Sequence, residues 1–181
     1  MRRKGILSLA IVIGLVAISL LVPIVSAKGN PHFRDRTLGW AMGSLTATGV
    51  VVGLANEPYL VVLYAEGSAE GICVNPAGNR EVQGRNPSPI LVAISESDEA
   101  RTDQNGSVSF ELTASEEAQY ILRSPTPKEF GCPNKSWHVE VIPGSTEWTG
   151  ATLSLYTLDG ELFEAVYFEC DITKPGICTP E

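Results

Sequence analysis

The strongest constraint on the fold is a series of short segments in which apolar and polar residues alternate. At 107–113, Val108, Phe110 and Leu112 take one set of alternate positions, and Ser, Glu and Thr take the other. Such alternation is what a β-strand with one buried face needs. Turn-forming Gly, Pro, Asn and Asp residues bound the other expected strands, at 45–54, 59–66, 90–96, 137–141, 151–158 and 161–170.

One hairpin is specified in more detail. Asp159-Gly160 separates the last two strands, and this dipeptide favours a two-residue type I′ turn. That turn predicts three cross-strand pairs: Leu158 with Glu161, Tyr156 with Phe163, and Leu153 with Val166. The face expected in the core carries Ala151, Leu153, Leu155, Val166 and Phe168. The other face carries Thr152, Ser154, Tyr156, Phe163 and Tyr167.

About seven short strands without intervening amphipathic helices predict an all-β fold, namely a single antiparallel β-sandwich of immunoglobulin-like type. A small barrel is the second alternative. The sandwich is expected at 43–170, after a loose N-terminal segment at 28–42 and before a C-terminal tail at 171–181.

The stretch 114–130 is ambiguous. Thr113 and Glu116 have the spacing of a capping box before a short helix. The apolar residues at 118–123 fit a strand equally well, and Pro125 ends either element.

The N-terminus has the three parts of a secretory signal. Residues 2–4 are basic, 6–21 are apolar apart from two Ser and a Gly, and 25–27 reads Val-Ser-Ala, a small-residue cleavage site. We therefore predict a signal peptide at 1–27. An uncleaved anchor is the alternative, because 6–27 is long enough to cross a bilayer. Either outcome makes the rest of the chain secreted, extracellular or cell-surface, with membrane contact only if the anchor is kept.

Export changes how the four cysteines are interpreted, since cysteines outside the cytosol are usually oxidised. Three pairings are possible, and we favour Cys73–Cys132 with Cys170–Cys178. The second pair closes a short loop around the turn-forming 174–176 and ties down the tail. A zinc site of four thiolates normally has cysteines two to four residues apart, closer than any two here.

Charge argues against nucleic-acid binding. The chain has 13 basic and 21 acidic residues and a net charge of −8. Because 1–27 holds three bases and no acid, the remainder carries −11. A nucleic-acid binder needs a basic face that displaces counterions from phosphates. We expect an extracellular partner or surface instead.

The residue pattern gives little support to catalysis. A Ser–His–acid triad would need His32 or His138, the two histidines of the chain. His32 lies in the loose N-terminal segment, and His138 alternates with apolar Trp137 and Val139, as an exposed strand residue does. We therefore assign no catalytic residue, cofactor-binding residue or metal ligand.

Two alternatives to a non-enzymatic protein stay open. Plentiful carboxylates are compatible with a small extracellular hydrolase, because glycoside hydrolysis needs two carboxyl groups across a cleft. A calcium-dependent binding module is the other, because hard cations need clustered oxygen ligands. Its ligands would lie at 96–103, and Asp103, Asn105 and Gly106 resemble the start of a calcium-binding loop. An Asn-Gly turn explains the same residues.

Surface chemistry gives two further predictions. Asn105 and Asn134 begin Asn-x-Ser sequons and are candidate glycosylation sites in expected loops. Trp40, Trp137 and Trp148 are candidates for an aromatic sugar-binding platform. Trp137 shares the apolar phase of its strand and is expected in the core, whereas Trp148 precedes a Thr-Gly turn and is the best candidate for exposure.

A constellation of short motifs resembles a group of uncharacterised small secreted β-rich proteins. The motifs are Cys73-Val-Asn-Pro-Ala-Gly-Asn79, Gly84-Arg-Asn-Pro87, Asn105-Gly-Ser-Val-Ser-Phe110, Cys132-Pro-Asn-Lys-Ser-Trp137 and Ala-Thr-Leu-Ser-Leu155. The resemblance covers roughly residues 45–168. It implies a signal peptide, a β-rich domain and a bond between the two loop cysteines, which supports Cys73–Cys132. Ala77-Gly78 and Arg85 stand where those proteins usually have Gly-Gly and Gln. No activity follows from the resemblance.

Together these features predict an exported, non-enzymatic β-sandwich protein with a binding, cell-envelope or extracellular structural role. Its loops at 75–86 and 132–134 are expected to gather beside one disulfide. Loops held by a rigid scaffold are where β-sandwiches usually place their contacts.

Overall fold

The structure is a computed structural model that describes residues 29–41, 43–54, 57–78, 80–101, 106–171 and 176–181. The expected signal peptide at 1–27 lies outside the described residues.

The described chain is built almost entirely from strands. They are β1 His32–Ala41, β2 Ser44–Val52, β3 Tyr59–Ala69, β4 Gly71–Val74, β5 Glu81–Val82, β6 Ile90–Ala100, β7 Ser107–Ser115, β8 Tyr120–Arg123, β9 His138–Val141, β10 Glu147–Thr157, β11 Leu162–Glu169 and β12 Gly176–Pro180. A short helix, α1, spans Pro127–Phe130, and a single 3₁₀ turn spans Glu116–Ala118.

Nine strands form one antiparallel sheet in the order β7-β2-β1-β12-β11-β10-β3-β6-β8, and this sheet curls around the main core. A second sheet has the order β5-β4-β9. The all-β prediction is confirmed. The expected number of about seven strands is too low, because the described residues already form twelve.

The N-terminal segment at 28–42 was expected to be loose, and the structure corrects this. His32–Ala41 is strand β1, paired with β2 on one side and β12 on the other. A bulge between Phe33 and Asp35 shifts the phase, so that Phe33 and then Leu38 and Trp40 are buried. The extra residue breaks the alternation that sequence analysis relies on.

The β10–β11 hairpin follows the predicted register in its body. Leu153 pairs with Val166, as expected. All five residues predicted to face the core are buried: Ala151, Leu153, Leu155, Val166 and Phe168.

The turn of this hairpin differs from the prediction. Tyr156 pairs with Leu162 rather than Phe163, because a bulge follows Leu155. The Thr157 N–H donates to the Glu161 carbonyl at 2.9 Å, which leaves three loop residues instead of two. Gly160 has φ 93°, the left-handed conformation that a three-residue loop with a bulge requires.

The ambiguous stretch contains both a turn and a strand. Thr113 lies within β7, so the capping box predicted at Thr113 and Glu116 is wrong. The capping box lies at α1 instead, where the Glu129 N–H donates to Thr126 Oγ1 at 3.3 Å and the Thr126 N–H donates to Glu129 Oε2 at 2.8 Å. Strand β8 was the alternative that sequence analysis left open.

The structure contains both favoured disulfides, Cys73–Cys132 and Cys170–Cys178. The first joins β4 to the residue that follows the C-cap of α1. We define the small disulfide module as β4, β5, β9, α1 and the loops between them. Its buried cluster comprises Cys73, Phe130 and Trp137.

Gly84 explains how Phe130 fits into the small disulfide module. A Cβ at position 84 would lie 2.3 Å from the Phe130 carbonyl oxygen and 2.5 Å from its ring. The loop before β6 therefore packs its bare backbone directly on Phe130, which only glycine allows. Gly131 then ends α1 in the left-handed conformation, with φ 78°.

Candidate functional site

An aromatic groove lies on the outer face of the large sheet. Thr152 on β10 pairs with Tyr64 on β3 and with Tyr167 on β11, so the three side chains form one row across three strands. Around this row lies a shallow groove of about 360 Å³. We define the tyrosine groove by its principal lining residues: Tyr64, Glu66, Thr149, Gly150, Thr152, Tyr167 and Glu181.

The tyrosines point outward because strand residues alternate between faces. In β3, Leu63 and Ala65 are buried, and Tyr64 between them is only half-buried. Tyr167 is 59% exposed, although its neighbours Val166 and Phe168 are buried. Two strand spacings put the Tyr64 and Tyr167 backbones about 9–10 Å apart. Thr152 lies between them, so a flat ligand ring would lie over this short side chain with a tyrosine on either side.

The floor of the tyrosine groove is open backbone. Gly150 pairs with Glu66 on one side and Glu169 on the other. A bulge next to it leaves Thr149 without a partner on β3, and the Thr149 hydroxyl donates to the Glu66 carbonyl at 3.2 Å. Without a side chain at position 150, a ligand can approach the sheet beside Glu66, in the row next to that of the two tyrosines.

The electrostatics of the tyrosine groove come from carboxylates. The Tyr64 hydroxyl donates to Glu66 Oε1 at 2.6 Å. This hydrogen bond to the carboxylate raises the pKa of the Tyr64 phenol, and burial adds to the effect. Tyr64 therefore stays neutral, with its ring held in place. Among the described residues that line the groove there is no Lys, Arg or His.

A larger depression of about 540 Å³ lies at the junction between the two sheets. Two carboxylate residues line it: Glu70, which is exposed, and Glu147, which is half-buried. Ser145 also lines the depression and is buried. Its Oγ accepts a hydrogen bond of 3.0 Å from the Glu70 N–H.

The loops predicted to form a contact surface do come together. The Arg85 N–H donates to the Gly131 carbonyl at 3.2 Å, and the Asn86 N–H donates to the Phe130 carbonyl at 3.1 Å. Asn75 closes a turn through the Gly78 N–H at 2.9 Å. The loops at 75–86 and 132–134 thus share one end of the molecule beside the Cys73–Cys132 bond.

The tryptophan platform is not formed. Trp40, Trp137 and Trp148 are all buried. Trp148 was expected to be exposed, but it is completely buried. Trp148 is the second residue of the long strand β10 and faces the main core rather than preceding a turn. The tyrosine pair is not evident from the sequence. Because β3 has apolar residues on both faces, its pattern does not indicate which face carries Tyr64. The hairpin pattern did place Thr152 and Tyr167 on the outer face.

The two histidines lie on different strands. His138 is exposed on β9, as predicted, and its Nε2 lies 2.6 Å from Glu140 Oε1. His32 is the first residue of β1, and its Nδ1 contacts the Asn30 carbonyl at 2.9 Å. In the described part of the chain, no serine hydroxyl forms a hydrogen bond with either ring.

The predicted calcium region is only partly described, because Asp103 and Asn105 lie outside the described residues. Of the acidic residues before them, Glu99 forms an ion pair with Arg101 at 2.7 Å. Over the described ranges, no group of three or more His, Cys, Asp or Glu residues is arranged to hold a metal ion.

Of the two candidate glycosylation sites, Asn134 is described and Asn105 is not. Asn134 is exposed in the loop after Cys132, and its Oδ1 accepts hydrogen bonds from the N–H and the hydroxyl of Ser136. Its glycosylation stays a prediction.

Comparison with known proteins identifies no relative: no protein-family model, curated protein or solved structure matches the chain.

Proposed function

We propose that this chain is an exported, non-enzymatic β-sandwich protein that binds extracellular glycans through the tyrosine groove. The observation that carries the proposal is the row of Tyr64, Thr152 and Tyr167 beside the open backbone of Gly150. Aromatic faces pack against the C–H groups of sugar rings, and neighbouring polar groups bond the sugar hydroxyls.

The chemistry around the rings suits a ligand rich in hydroxyl groups. Glu66 and Glu181 offer carboxylate acceptors, the Thr152 hydroxyl can donate and accept, and the Thr149 hydroxyl, which donates to the Glu66 carbonyl, can still accept. Because Glu66 holds the Tyr64 hydroxyl, the ring is ordered before a ligand arrives. Such preorganisation lowers the entropy that binding must offset.

Export is supported by two independent features. The N-terminal 27 residues have the pattern of a signal peptide. Two disulfides fit an oxidising, extracellular-type compartment.

The sandwich part of the proposal is supported by the curl of the large sheet. Strands β6 and β7 pack against each other although six strands separate them in the sheet order. The sheet therefore folds over its own core, and this curl is compatible both with a flattened sandwich, which we propose, and with the small barrel that was the second alternative.

The test uses a glycan array, followed by calorimetry on any glycan that binds. We expect Tyr167→Ala to weaken binding at least about tenfold, because an aromatic anchor at the centre of a site carries much of its affinity. Tyr156→Ala is the matched control, since it removes a tyrosine from the same strand system several residues from the groove. That variant is expected to bind as the wild type does.

Gly150→Ala provides a second variant that leaves the fold unchanged. A Cβ there would lie 3.6 Å from the Phe168 carbonyl oxygen, an ordinary contact, so the methyl group fits while it fills the floor of the groove. We expect it to weaken binding as Tyr167→Ala does. If both variants bind a glycan as tightly as the wild type does, the tyrosine groove is not the binding site. If the wild type binds the organic cation tetramethylammonium but no glycan, the proposed ligand class is wrong.

A hydrolase is a second candidate, favoured by Glu70 and Glu147 in the depression between the sheets. If it is correct, the wild type releases reducing ends from a polysaccharide panel, and Glu70→Gln and Glu147→Gln each lose that activity. Binding without any release of reducing ends would favour the first candidate.

A further inference from the structure

Another tyrosine, Tyr120 on β8, lies on the outer face of the large sheet. On β6, Ala93 pairs with Glu66 of β3 on one side and with Tyr120 on the other. These three side chains therefore form a row next to the one that holds Tyr64. Tyr120 is 46% exposed and does not line the tyrosine groove, so it adds a separate aromatic surface.

Tyr120 lies close to Tyr64 across β6. Ala93 is fully buried although it belongs to neither core cluster, and its neighbour Val92 is the residue that faces the core. Longer side chains on the outer face must therefore cover Ala93. Glu66 is the main cause of the raised pKa of the Tyr64 phenol, and Tyr120 adds to it. The two phenol groups thus lie close enough to interact.

Together with the tyrosine groove, Tyr120 makes a long aromatic surface. We define the long tyrosine surface as the tyrosine groove together with Ser95, Ala93 and Tyr120. It crosses β11, β10, β3, β6 and β8 in sheet order, with Tyr167 and Tyr120 at its ends. Four strand spacings make it roughly 20 Å long, about twice the separation of the Tyr64 and Tyr167 backbones. A single sugar is too short to contact all three rings, whereas a chain of several sugars reaches them.

The charge on the long tyrosine surface comes from carboxylates. Glu66 and Glu181 line the groove, and Glu169 is exposed on the same face of β11. Among the described residues of the surface there is no Lys, Arg or His. Arg123, also on β8, lines a different depression together with Glu129. Acidic or sulfated sugars would therefore meet like charges, which favours an uncharged ligand.

We propose that the long tyrosine surface binds an uncharged, linear oligosaccharide that runs across the strands from Tyr167 to Tyr120. The inference rests on the proposed glycan-binding function and adds the length, the direction and the charge of the ligand. Each tyrosine ring packs on a different sugar of one chain. Contacts linked in one chain reinforce each other, because the second contact forms at a high effective concentration once the first is made.

The experiment measures affinity against chain length by calorimetry. The probes are disaccharides and hexasaccharides of neutral β-glucan, xylan and mannan, with a hexasaccharide of galacturonic acid as the charged comparison. We expect the wild type to bind at least one neutral hexasaccharide about tenfold more tightly than the matching disaccharide. The galacturonic acid chain should bind about tenfold more weakly than that neutral hexasaccharide.

Three variants separate the ring of Tyr120 from the stability of β8. Tyr120→Ala should remove the gain from chain length and leave disaccharide binding unchanged. Tyr120→Phe keeps the ring and should bind as the wild type does. Ile121→Ala is the matched control, because Ile121 is 52% exposed on the same strand but pairs with Val92, which faces the core. This variant should also bind as the wild type does.

Several results overturn the inference and leave the tyrosine groove as a glycan site. One is hexasaccharide binding that Tyr167→Ala weakens and Tyr120→Ala does not. A second is a loss in Ile121→Ala as large as that in Tyr120→Ala. A third is a wild type that binds the charged hexasaccharide as tightly as the neutral ones, or binds only other kinds of glycan on the array. If the wild type binds no glycan at all, the inference and the proposed function both fail.

Discussion

The large curled sheet and the small disulfide module are stabilised in different ways. Within the described part of the chain, the core of the sheet contains 27 buried residues, most of them in its strands. The module's own cluster buries Cys73, Phe130 and Trp137, and Val74 of β4 is buried as well. Full burial of one large apolar side chain contributes about 1.5–3 kcal/mol, so these few cannot offset the entropy of ordering the module's loops. A peripheral unit with so little core depends on a disulfide and on local hydrogen bonds.

The broadest test compares one core truncation in each region. Leu153→Ala in the large sheet is expected to cost about 2–5 kcal/mol and Phe130→Ala in the module about 3–5 kcal/mol. The two variants should differ in how much of the molecule they affect. Leu153→Ala should lower the stability of the whole domain, whereas Phe130→Ala should mainly unfold the small disulfide module. Hydrogen exchange followed by strand would measure this. Equal loss of protection in β3 and β4 after Phe130→Ala would show that the two regions unfold as one unit.

The disulfides sharpen the same contrast. Cys73 and Cys132 are 59 residues apart, and removing their bond in Cys73→Ala/Cys132→Ala should cost about 4 kcal/mol by the chain-entropy model. Cys170 and Cys178 are 8 residues apart, and the corresponding double variant should cost about 2.5 kcal/mol. Chemical denaturation measures both. If loss of the Cys170–Cys178 bond lowered the free energy of unfolding more than loss of Cys73–Cys132, the large sheet rather than the module would depend on its disulfide.

A smaller effect is expected from the cap of α1. Thr126→Ala removes the capping box and should cost about 1 kcal/mol. Hydrogen bonds from the backbone and side chain of Thr126 lower the pKa of Glu129. The contribution of Glu129 is therefore present above about pH 4.5 and is lost as the pH falls through its lowered value. Amide exchange at Phe130, measured between pH 3 and pH 7 in wild type and variant, should converge at the acidic end.

The smallest predicted effect lies in the large sheet. The pKa of Tyr64 is raised by its hydrogen bond to Glu66, so the stabilisation is complete below about pH 10 and is lost as the pH rises through the raised value. The stability difference between wild type and Tyr64→Phe should therefore shrink above pH 10. Glu66→Gln weakens the same contact and should show the same trend. A difference that grows with pH would have the wrong sign.

Local patterns carried most of what could be predicted. Alternation identified the strands whose two faces differ, and it placed Leu153 opposite Val166 correctly. It failed at β1, where a bulge after Phe33 changes the phase. It also failed at the hairpin turn, where Gly160 lies in a three-residue loop rather than a two-residue one. In both places one extra residue alters the register, and alternation alone does not reveal it.

The tyrosine groove was only half predictable. The hairpin pattern put Thr152 and Tyr167 on the outer face, but Tyr64 lies in a strand that is apolar on both sides. The three tryptophans, the strongest aromatic signal in the sequence, are buried. Residue type measures how much a side chain gains from burial, whereas strand position decides whether it is buried.

By itself, the sequence determined the all-β class and the face of the β10–β11 hairpin that enters the core, and it favoured the cysteine pairing that the structure contains. The first two depend on a period of two and the Cys170–Cys178 bond on a short spacing, which are local properties of the chain. Only the tertiary structure decided that β1 lies inside the sheet and that Tyr64 and Tyr167, about a hundred residues apart, lie in one row. Strand order depends on how all the apolar faces are buried at once, which no local segment specifies.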